Sequence, residues 1–337
     1  MKKITAIIVN WNDKNVIGEC IQSTLNQDKN QIDIIVSDNG SKDGSIDYIR
    51  KSFPSVQILE NCKNLGFGSA INKGLAVAKG DYLVFLNSDL KLNPKCIGEL
   101  ANLLESDSSI GGAIPKILHI DQQNTINSLG VLINYTGIAY PNLLGQKDPG
   151  YQESFESACG GIFMLKREVF KTVGGFDEDL FLYHEDHDLS WRIRLAGWRL
   201  KVAPKAIMYH HYNFNKGVLK YYSSEKNRLH ILLKNMEIKT LALISPALIV
   251  IELCQWFHAV IHKWFFLKIK SYIEIIKIFP RILIKRKKLK RLRKVSDKEI
   301  TRVYQGTLTI SGTNNPLLTY LVSPALNIYW KIIHHLI

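Results

Sequence analysis

Along the first hundred residues, short apolar runs alternate with amphipathic stretches. They read ITAIIVN, a helix-like segment ending at Leu25, IDIIVSD, SIDYIRKSF, VQILE, a glycine-opened helix to Ala78, and DYLVFLNSD. The apolar runs are short and β-branched, which predicts parallel strands joined by helices that cover both faces of one sheet. Such sheets bind ligands at the carboxyl ends of their strands. Polar residues fall at those ends here: Asn10, Asp38, Asn39, Asn87 and Asp89. The pattern therefore locates a site before any motif is considered.

Further on, Gly111 to Tyr151 is irregular and rich in Gly, Asn and Pro, which predicts loops or short strands over one rim of that site. SACGGIFMLKREVF, from Ser157 to Phe170, returns to strand-then-helix character. His187 to Ala196 reads as a helix with Leu189, Ile193 and Ala196 on one face and Gly197 as its stop. RLKVAPKAIMYHH reads as a strand ending in histidines. The composition shifts after Asn227, which divides the chain into an α/β domain over 1–227 and an amphipathic, basic helical region over 228–337. Within that region the uninterrupted apolar part, Leu241 to Ile251, falls short of the about 20 residues a membrane-spanning helix needs. No spanning helix is predicted. At the other end, Met1-Lys2-Lys3 and the apolar run after it imitate a signal peptide, but the run stops at Asn10-Trp11-Asn12-Asp13 and reads as a first strand.

An apolar content of 46% over 337 residues fits a globular protein, not a disordered one. The formal net charge of +14 is uneven: residues 260–294 carry 13 Lys or Arg and one acid, Glu274. Trp256, Trp264 and neighbouring phenylalanines, followed by IKRKKLKRLRK, combine interfacial aromatics with a polybasic tract. Helices that lie on an anionic leaflet have this composition, and each nearby cation adds about 1 kcal/mol of attraction. A packed subdomain with a solvated basic face is the second reading of the same residues. Nucleic-acid binding is the third, and apolar breadth beside the charges disfavours it. The five cysteines lie far apart with no CxxC pair, which argues against a disulfide scaffold or a cysteine zinc site and for a reducing, cytosolic compartment.

Several short stretches carry side chains suited to chemistry. In VSDNGSKDGS, Asp38 ends a strand and can accept hydrogen bonds from a nucleotide or anchor a turn. In NLGFGSAINKG, Gly66 and Gly68 allow a backbone to approach a ligand and Asn72 follows one turn into the helix, although position 71 is Ile and the motif is not GxGxxG. In FLNSD, Asn87 and Asp89 point the same way across the pleat, and their hard oxygens suit Mg²⁺ or Mn²⁺, which in turn suit a diphosphate. FLYHEDHDLSWR crowds two histidines and three carboxylates into a dozen residues. Glu185 and Asp186 cap the helix that follows, or one of them serves as a general base toward a hydroxyl. The spacing of His184, His187, His210 and His211 matches no zinc helix motif.

Taken in order, TAIIVNWN, SDNGSKDGS, NLGFGSAINKG, FLNSD, ACGGIFMLKREVF, GGFDEDLFLYHEDHDLSWRIRLAGW and the MYHH strand end resemble the family-two inverting glycosyltransferases, especially their rhamnosyltransferase-like branch, over residues 4–215. The resemblance implies an α/β GT-A fold, a nucleotide-diphospho-sugar donor and a divalent cation, Mg or Mn. By it, Asp186 is the catalytic base, Asn10, Asp38, Asn39, Gly66, Gly68, Asn72 and Asn87 surround the donor, and Asp89 holds the metal. His210, or its neighbour His211, falls where such enzymes place another metal or diphosphate ligand, and Glu185 is left to orientation or capping. Position 87 is Asn where many members have Asp, which removes one charge from the metal site. The implied activity is inverting transfer of a sugar, with L-rhamnose from dTDP-rhamnose the leading candidate, to a glycan acceptor. Such an acceptor is expected to be lipid-linked, at the cytoplasmic face of the membrane, in cell-surface polysaccharide synthesis. The competing reading is an inactive nucleotide-sugar-binding or membrane scaffold protein, and a nucleic-acid partner is not expected.

Overall fold

The computed structural model describes residues 2–28, 31–211, 219–308 and 316–337. Residues 212–215, the end of the stretch that carries the resemblance, lie outside them. In chain order the N-terminal part runs β1 (Ile4–Asn10), α1 (Lys14–Leu25), β2 (Ile32–Asp38), α2 (Ser45–Ser52), β3 (Gln57–Glu60), α3 (Phe67–Val77), β4 (Tyr82–Asn87), β5 (Leu90–Leu92) and α4 (Cys96–Ser106). It continues with β6 (Ile110–His119), β7 (Ile126–Ser128), β8 (Val131–Ile133), β9 (Ala139–Pro141), β10 (Phe155–Glu156), β11 (Met164–Lys166), α5 (Arg167–Val173), α6 (Glu185–Leu195) and β12 (Arg199–His210). The rest is helical: α7 (Leu219–Asn235), α8 (Ile238–Ile261), α9 (Phe265–Leu292), α10 (Asp297–Thr301), a π-helical turn (Leu318–Val322) and α11 (Ser323–Ile333).

Ten strands form one sheet in the order β10-β12-β6-β11-β4-β1-β2-β3, with β5 paired to β12 and β7 to β6. Strands β1, β2, β3 and β4 pair in parallel, as do β6 and β12. Strand β11 runs antiparallel between β4 and β6, so those two strands point the same way. The carboxyl ends of β1, β2, β4, β6 and β12 therefore share one edge, and that edge holds Asn10, Asp38, Asn87 and His210. Alternation along the strands supplies both faces: Ile4, Ala6 and Ile8 join the apolar layer that holds α1, α2 and α4, while Ile7 and Val9 join the layer that holds α3 and α6.

Two expectations change. The stretch read as loops from Gly111 opens instead as ten-residue strand β6, buried near the middle of the sheet. Its glycines are there for space: a Cβ on Gly111 would meet the Trp198 side chain at 2.7 Å, and one on Gly112 would meet Leu200 at 2.5 Å. The last helix before β12 begins at Glu185, so Glu185 and Asp186 lie inside its first turn and do not precede it.

The helical region is a packed layer, and α7 runs through residue 227 without a break. Helix α8 carries Pro246 in its interior, and the Ser245 hydroxyl donates to the Ala242 carbonyl, the acceptor that the missing proline N–H leaves open. The helix thus continues for 24 residues, where the sequence suggested a break, and by length and composition alone it is long and apolar enough to cross a bilayer. Its Glu252 is nonetheless tied inward, accepting from Arg228 of α7 and from Lys268 and Tyr272 of α9. Lys268 is fully buried and also donates to Glu225 at 2.9 Å, so Glu225, Arg228, Glu252 and Lys268 neutralise one another. The opposite side is apolar and open, with Leu253, Phe257 and Phe266 exposed at 65%, 70% and 83%. A third core cluster joins this layer to the sheet domain, drawing Tyr135, Cys159 and Trp191 together with Leu232, Tyr304 and Trp330.

Candidate active site

At the end of β1, the buried Asn10 amide donates to Asp38 Oδ1 at 2.7 Å, to Ser45 Oγ at 2.9 Å and to Ser41 Oγ at 3.1 Å. Asp38 accepts further from the backbone N–H groups of Gly40 and Ser41 and from the Ser41 hydroxyl. Its oxygens are thus occupied in shaping the turn after β2. The buried Oδ1 of Asn10 has no partner among the described residues, which leaves an acceptor at this strand end. Asn39 bridges to the third strand–helix connection, donating to Asn64 and to the Gly66 carbonyl and accepting from Asn61 and Leu65.

The glycines of the 64–74 stretch meet protein. Gly66 has φ +81°, and a Cβ there would lie 2.2 Å from the Phe181 carbonyl oxygen; on Gly68 it would lie 2.7 Å from Phe176. Asn72 clamps the same loop, accepting from Phe176 N at 2.8 Å and donating to Phe176 O at 2.9 Å. These three residues fasten the loop that leads into α6. Gly66→Ala combines a forbidden φ with a backbone clash, and is expected to lower stability by about 3 kcal/mol, read as an earlier urea midpoint.

Beyond Asn87, the Ser88 hydroxyl donates to Asp13 at 2.5 Å and Asp89 Oδ2 lies 3.1 Å from His210 Nε2. The second oxygen of Asp89, Oδ1, is buried without a hydrogen-bond partner among the described residues. His210 Nδ1 faces Asn127 Oδ1 at 3.1 Å, so Nε2 is the ring nitrogen turned toward Asp89, where the two side chains could share a cation. An open carboxylate oxygen beside an imidazole suits a divalent cation such as Mg²⁺ or Mn²⁺. His211 turns away, with Nε2 on Glu19 at 3.1 Å, and contributes only its backbone N–H to the Asp89 carbonyl.

Asp13 was not singled out from the sequence. Burial, with Asp89 and Asp43 nearby, pushes its carboxyl up despite the Ser88 hydrogen bond. A polar residue shortly after a strand end was the signal that marked Asn10, and it applied to Asp13 as well. A second group of three ligand types, Asp177, Asp179 and His230, also lies close together. Its carboxylates already carry Lys234 at 2.5 Å, Lys285 and Arg281, so this group is an ion-pair network, less suited to a metal than Asp89 and His210.

The crowding in FLYHEDHDLSWR is resolved partner by partner. His184 and His187 face each other through Nδ1 at 3.3 Å, and their outer nitrogens reach Ser224 Oγ at 3.2 Å and the Tyr304 hydroxyl at 2.9 Å. Burial, with His187 and Arg228 nearby, pushes His184 down to about 3, and burial pushes His187 down to about 4, so both rings are neutral near pH 7. Burial alone would raise the Asp188 carboxyl, but Lys234 at 2.6 Å and Arg192 at 2.9 Å hold it far below the usual range. Glu185 is buried in the first turn of α6.

Asp186 differs. It has no ion pair among the described residues, and its Oδ2 accepts from the buried Cys159 thiol at 3.3 Å. Burial raises its carboxyl, outweighing the His187 backbone N–H and the Cys159 thiol, which lower it. Nothing local predicts that rise, since a helix start favours an ionised carboxylate; burial is a tertiary effect. Just before the helix, Tyr183 and His184 both have positive φ, 66° and 67°, a left-handed pair without glycine that costs about 1–2 kcal/mol per residue.

A family model described as glycosyl transferase family 2 matches residues 5–174, half of the chain. The chain belongs to glycosyl transferase family 2. A model described as the N-terminal domain of galactosyltransferase matches residues 143–214 of this glycosyltransferase chain. Among curated relatives, an N-acetylglucosaminyl-diphospho-decaprenol L-rhamnosyltransferase of Mycobacterium tuberculosis is 28% identical over 204 residues, 53% of this chain and 66% of the relative. A poly-beta-1,6-N-acetyl-D-glucosamine synthase of Staphylococcus aureus is 24% identical over 216 residues, 61% of this chain and 49% of the relative. The chain thus spans less than two-thirds of the length of these relatives. Of solved structures, GalNAc-T7 with UDP, GalNAc and Mn2+ aligns at TM-score 0.57 and 18% identity, covering 69% of this chain and 48% of that one. S. aureus TarS aligns at TM-score 0.51 and 15% identity, covering 73% and 43%. The fold is GT-A, and the relatives place this glycosyltransferase among rhamnosyltransferase-like members of its family.

Proposed function

We propose that the chain transfers a sugar from a nucleotide-diphospho-sugar to a hydroxyl of a lipid-linked glycan, with inversion, as a step in cell-surface polysaccharide synthesis. The observation that carries this reading is the contrast between two carboxylates two residues apart. Asp188 is saturated by Lys234 and Arg192, while Asp186 meets no cation among the described residues and is pushed toward proton uptake by burial. A carboxylate so placed accepts the proton of the attacking hydroxyl. The acceptor oxygen then bonds to the anomeric carbon on the face opposite the diphosphate, the bond to the diphosphate breaks, and the nucleoside diphosphate leaves.

Asn10, with its open Oδ1, and the turn shaped by Asp38 and Asn39 form the nucleoside end of the donor site in this reading. Asn87 borders the diphosphate, and Gly66, Gly68 and Asn72 act on the donor indirectly, by fixing the loop before α6. Asp89 and His210 are the residues that would hold a divalent cation, which when bound offsets the charge of the leaving diphosphate. The structure with Mn2+ and UDP supports a divalent cation, and the relative named for a decaprenol-linked substrate supports a lipid-linked acceptor. L-rhamnose from dTDP-rhamnose is the leading donor. Initial rates of donor cleavage against dTDP- and UDP-sugars, with Mn²⁺, Mg²⁺ or EDTA and with a lipid-diphosphate acceptor, test the proposal. Release of one nucleoside diphosphate that EDTA stops supports it, and silence in a folded protein across donors and acceptors favours a binding-only protein.

The exposed apolar side of α8 and α9, beside the polybasic end of α9, supports a peripheral or monotopic position on the cytoplasmic leaflet. The inward ties of Glu252 favour lying on the bilayer over crossing it. Leu253, Phe257 and Phe266 together replaced by Ser are expected to weaken binding to phosphatidylglycerol vesicles by about 100-fold or more, at about 1.5–3 kcal/mol for each buried side chain. Co-sedimentation measures it, and unchanged binding would remove the leaflet assignment.

A further inference from the structure

The turn that presents Asp186 is held from outside the part of the chain that the family model matches. Asn227 of α7 is buried, and its amide donates to the carbonyl oxygens of Leu182 at 2.9 Å and Tyr183 at 2.8 Å. These are the carbonyls of the backbone entering the left-handed pair Tyr183–His184. One helical turn earlier on α7, Ser224 meets His184, and Lys226 donates to the Asp179 carbonyl at 3.2 Å. From the other side, the Tyr304 hydroxyl meets His187, and Tyr304 packs edge-on against Trp191 of α6. Two successive left-handed residues without glycine persist only where their surroundings hold them. Here those surroundings are α7 and Tyr304.

We infer that Asn227, with Tyr304 as the second anchor, is a positioning residue for the general base. This rests on the reading of Asp186 as that base. Without the Asn227 amide, two part-buried carbonyls lose this donor and the turn relaxes toward unstrained backbone, carrying the first turn of α6 with it. A displacement of about 1 Å at a reacting group costs about 100-fold in rate. A relaxed turn also opens Asp186, half-buried in the parent, further to water. Among the described residues, the titratable side chain facing that carboxyl is the Cys159 thiol from the segment before β11, which Glu185 also approaches; His187 adds its backbone N–H, and His184 in turn faces Arg228 and Glu225 of α7.

The test compares Asn227→Ala, Tyr304→Phe and Asp186→Asn with the parent protein in steady-state transfer across pH. Nucleoside diphosphate binding and circular dichroism are measured in parallel. Asn227→Ala is expected to lower kcat by about 10–100-fold with donor KM unchanged, and to move the acid limb of the pH profile down toward the ordinary carboxylate range. Tyr304→Phe removes one hydroxyl and is expected to shift both in the same direction by less, which keeps the inference testable if Asn227→Ala does not fold. A fall in kcat that only follows the folded fraction, with an unmoved acid limb, overturns it. So do parent-like rates in both folded variants while Asp186→Asn is inactive. Parent-like turnover in Asp186→Asn instead overturns the assignment of the base.

Discussion

Asp186→Asn is expected to bind the nucleoside diphosphate as the parent does and to lose about 10³-fold or more in transfer, since general-base catalysis alone supplies about 10²–10⁴-fold. The amide keeps the shape of the carboxylate and can still meet the Cys159 thiol, so what is lost is the proton acceptor. The pH dependence follows from the same residue. The base must be ionised, and burial has raised its carboxyl above the ordinary value. Transfer by the parent protein is therefore expected to fall, as pH drops, at a higher pH than an exposed aspartate would give. Stability has the opposite sign: between the unfolded and the raised folded value the native state binds a proton that the unfolded chain does not, so this contribution is present at low pH and lost as pH rises. Asp186→Asn is thus expected to unfold at an equal or higher temperature at neutral pH. A lower midpoint together with lost transfer would point to a structural role for Asp186.

Replacing Asp89 by Ala should give the second large loss, about 10²–10³-fold in transfer, comparable to removing one group that stabilises developing charge. The open Oδ1 and the contact with His210 make Asp89 the side chain most exposed to the consequences of an absent cation. Saturating Mn²⁺ is expected to recover part of the loss, with the half-saturating concentration raised. A rate-against-Mn²⁺ titration measures this, and an unchanged half-saturating concentration would move the cation elsewhere.

The parallel half of the sheet was legible because β1, β2 and β4 are bounded apolar runs whose polar ends fall at one edge, so Asn10, Asp38 and Asp89 could be picked without coordinates. Strand β6 was hidden because Gly111, Gly112 and Pro115 read as loop residues, although the glycines answer to Trp198 and Leu200, which lie nearly ninety residues away. The same gap separates motif from role for Gly66, Gly68 and Asn72: the residue types signalled close approach, and only the fold shows that what approaches is the 176–181 loop. Asp186 was singled out as the base by the resemblance, while its place at a helix start did not separate it from Glu185, and its raised carboxyl depends on what is packed over it, which no local pattern encodes. Helix α8 was undercounted because the apolar run was ended at Glu252, a charge that the fold pairs inward with Arg228 and Lys268.

Anchoring the turn before Asp186 through Asn227 and Tyr304 also sets an order of events during synthesis. By the time His210 has emerged, every strand of the large sheet has been made, and the nucleotide-binding edge can assemble. Tyr304 follows roughly 5–20 s later at about 5–20 residues per second. With Asp186 as the proposed base, the nascent chain through that interval lacks one of the two anchors of that base, and sugar transfer is expected to begin only when the helical layer has closed over α6.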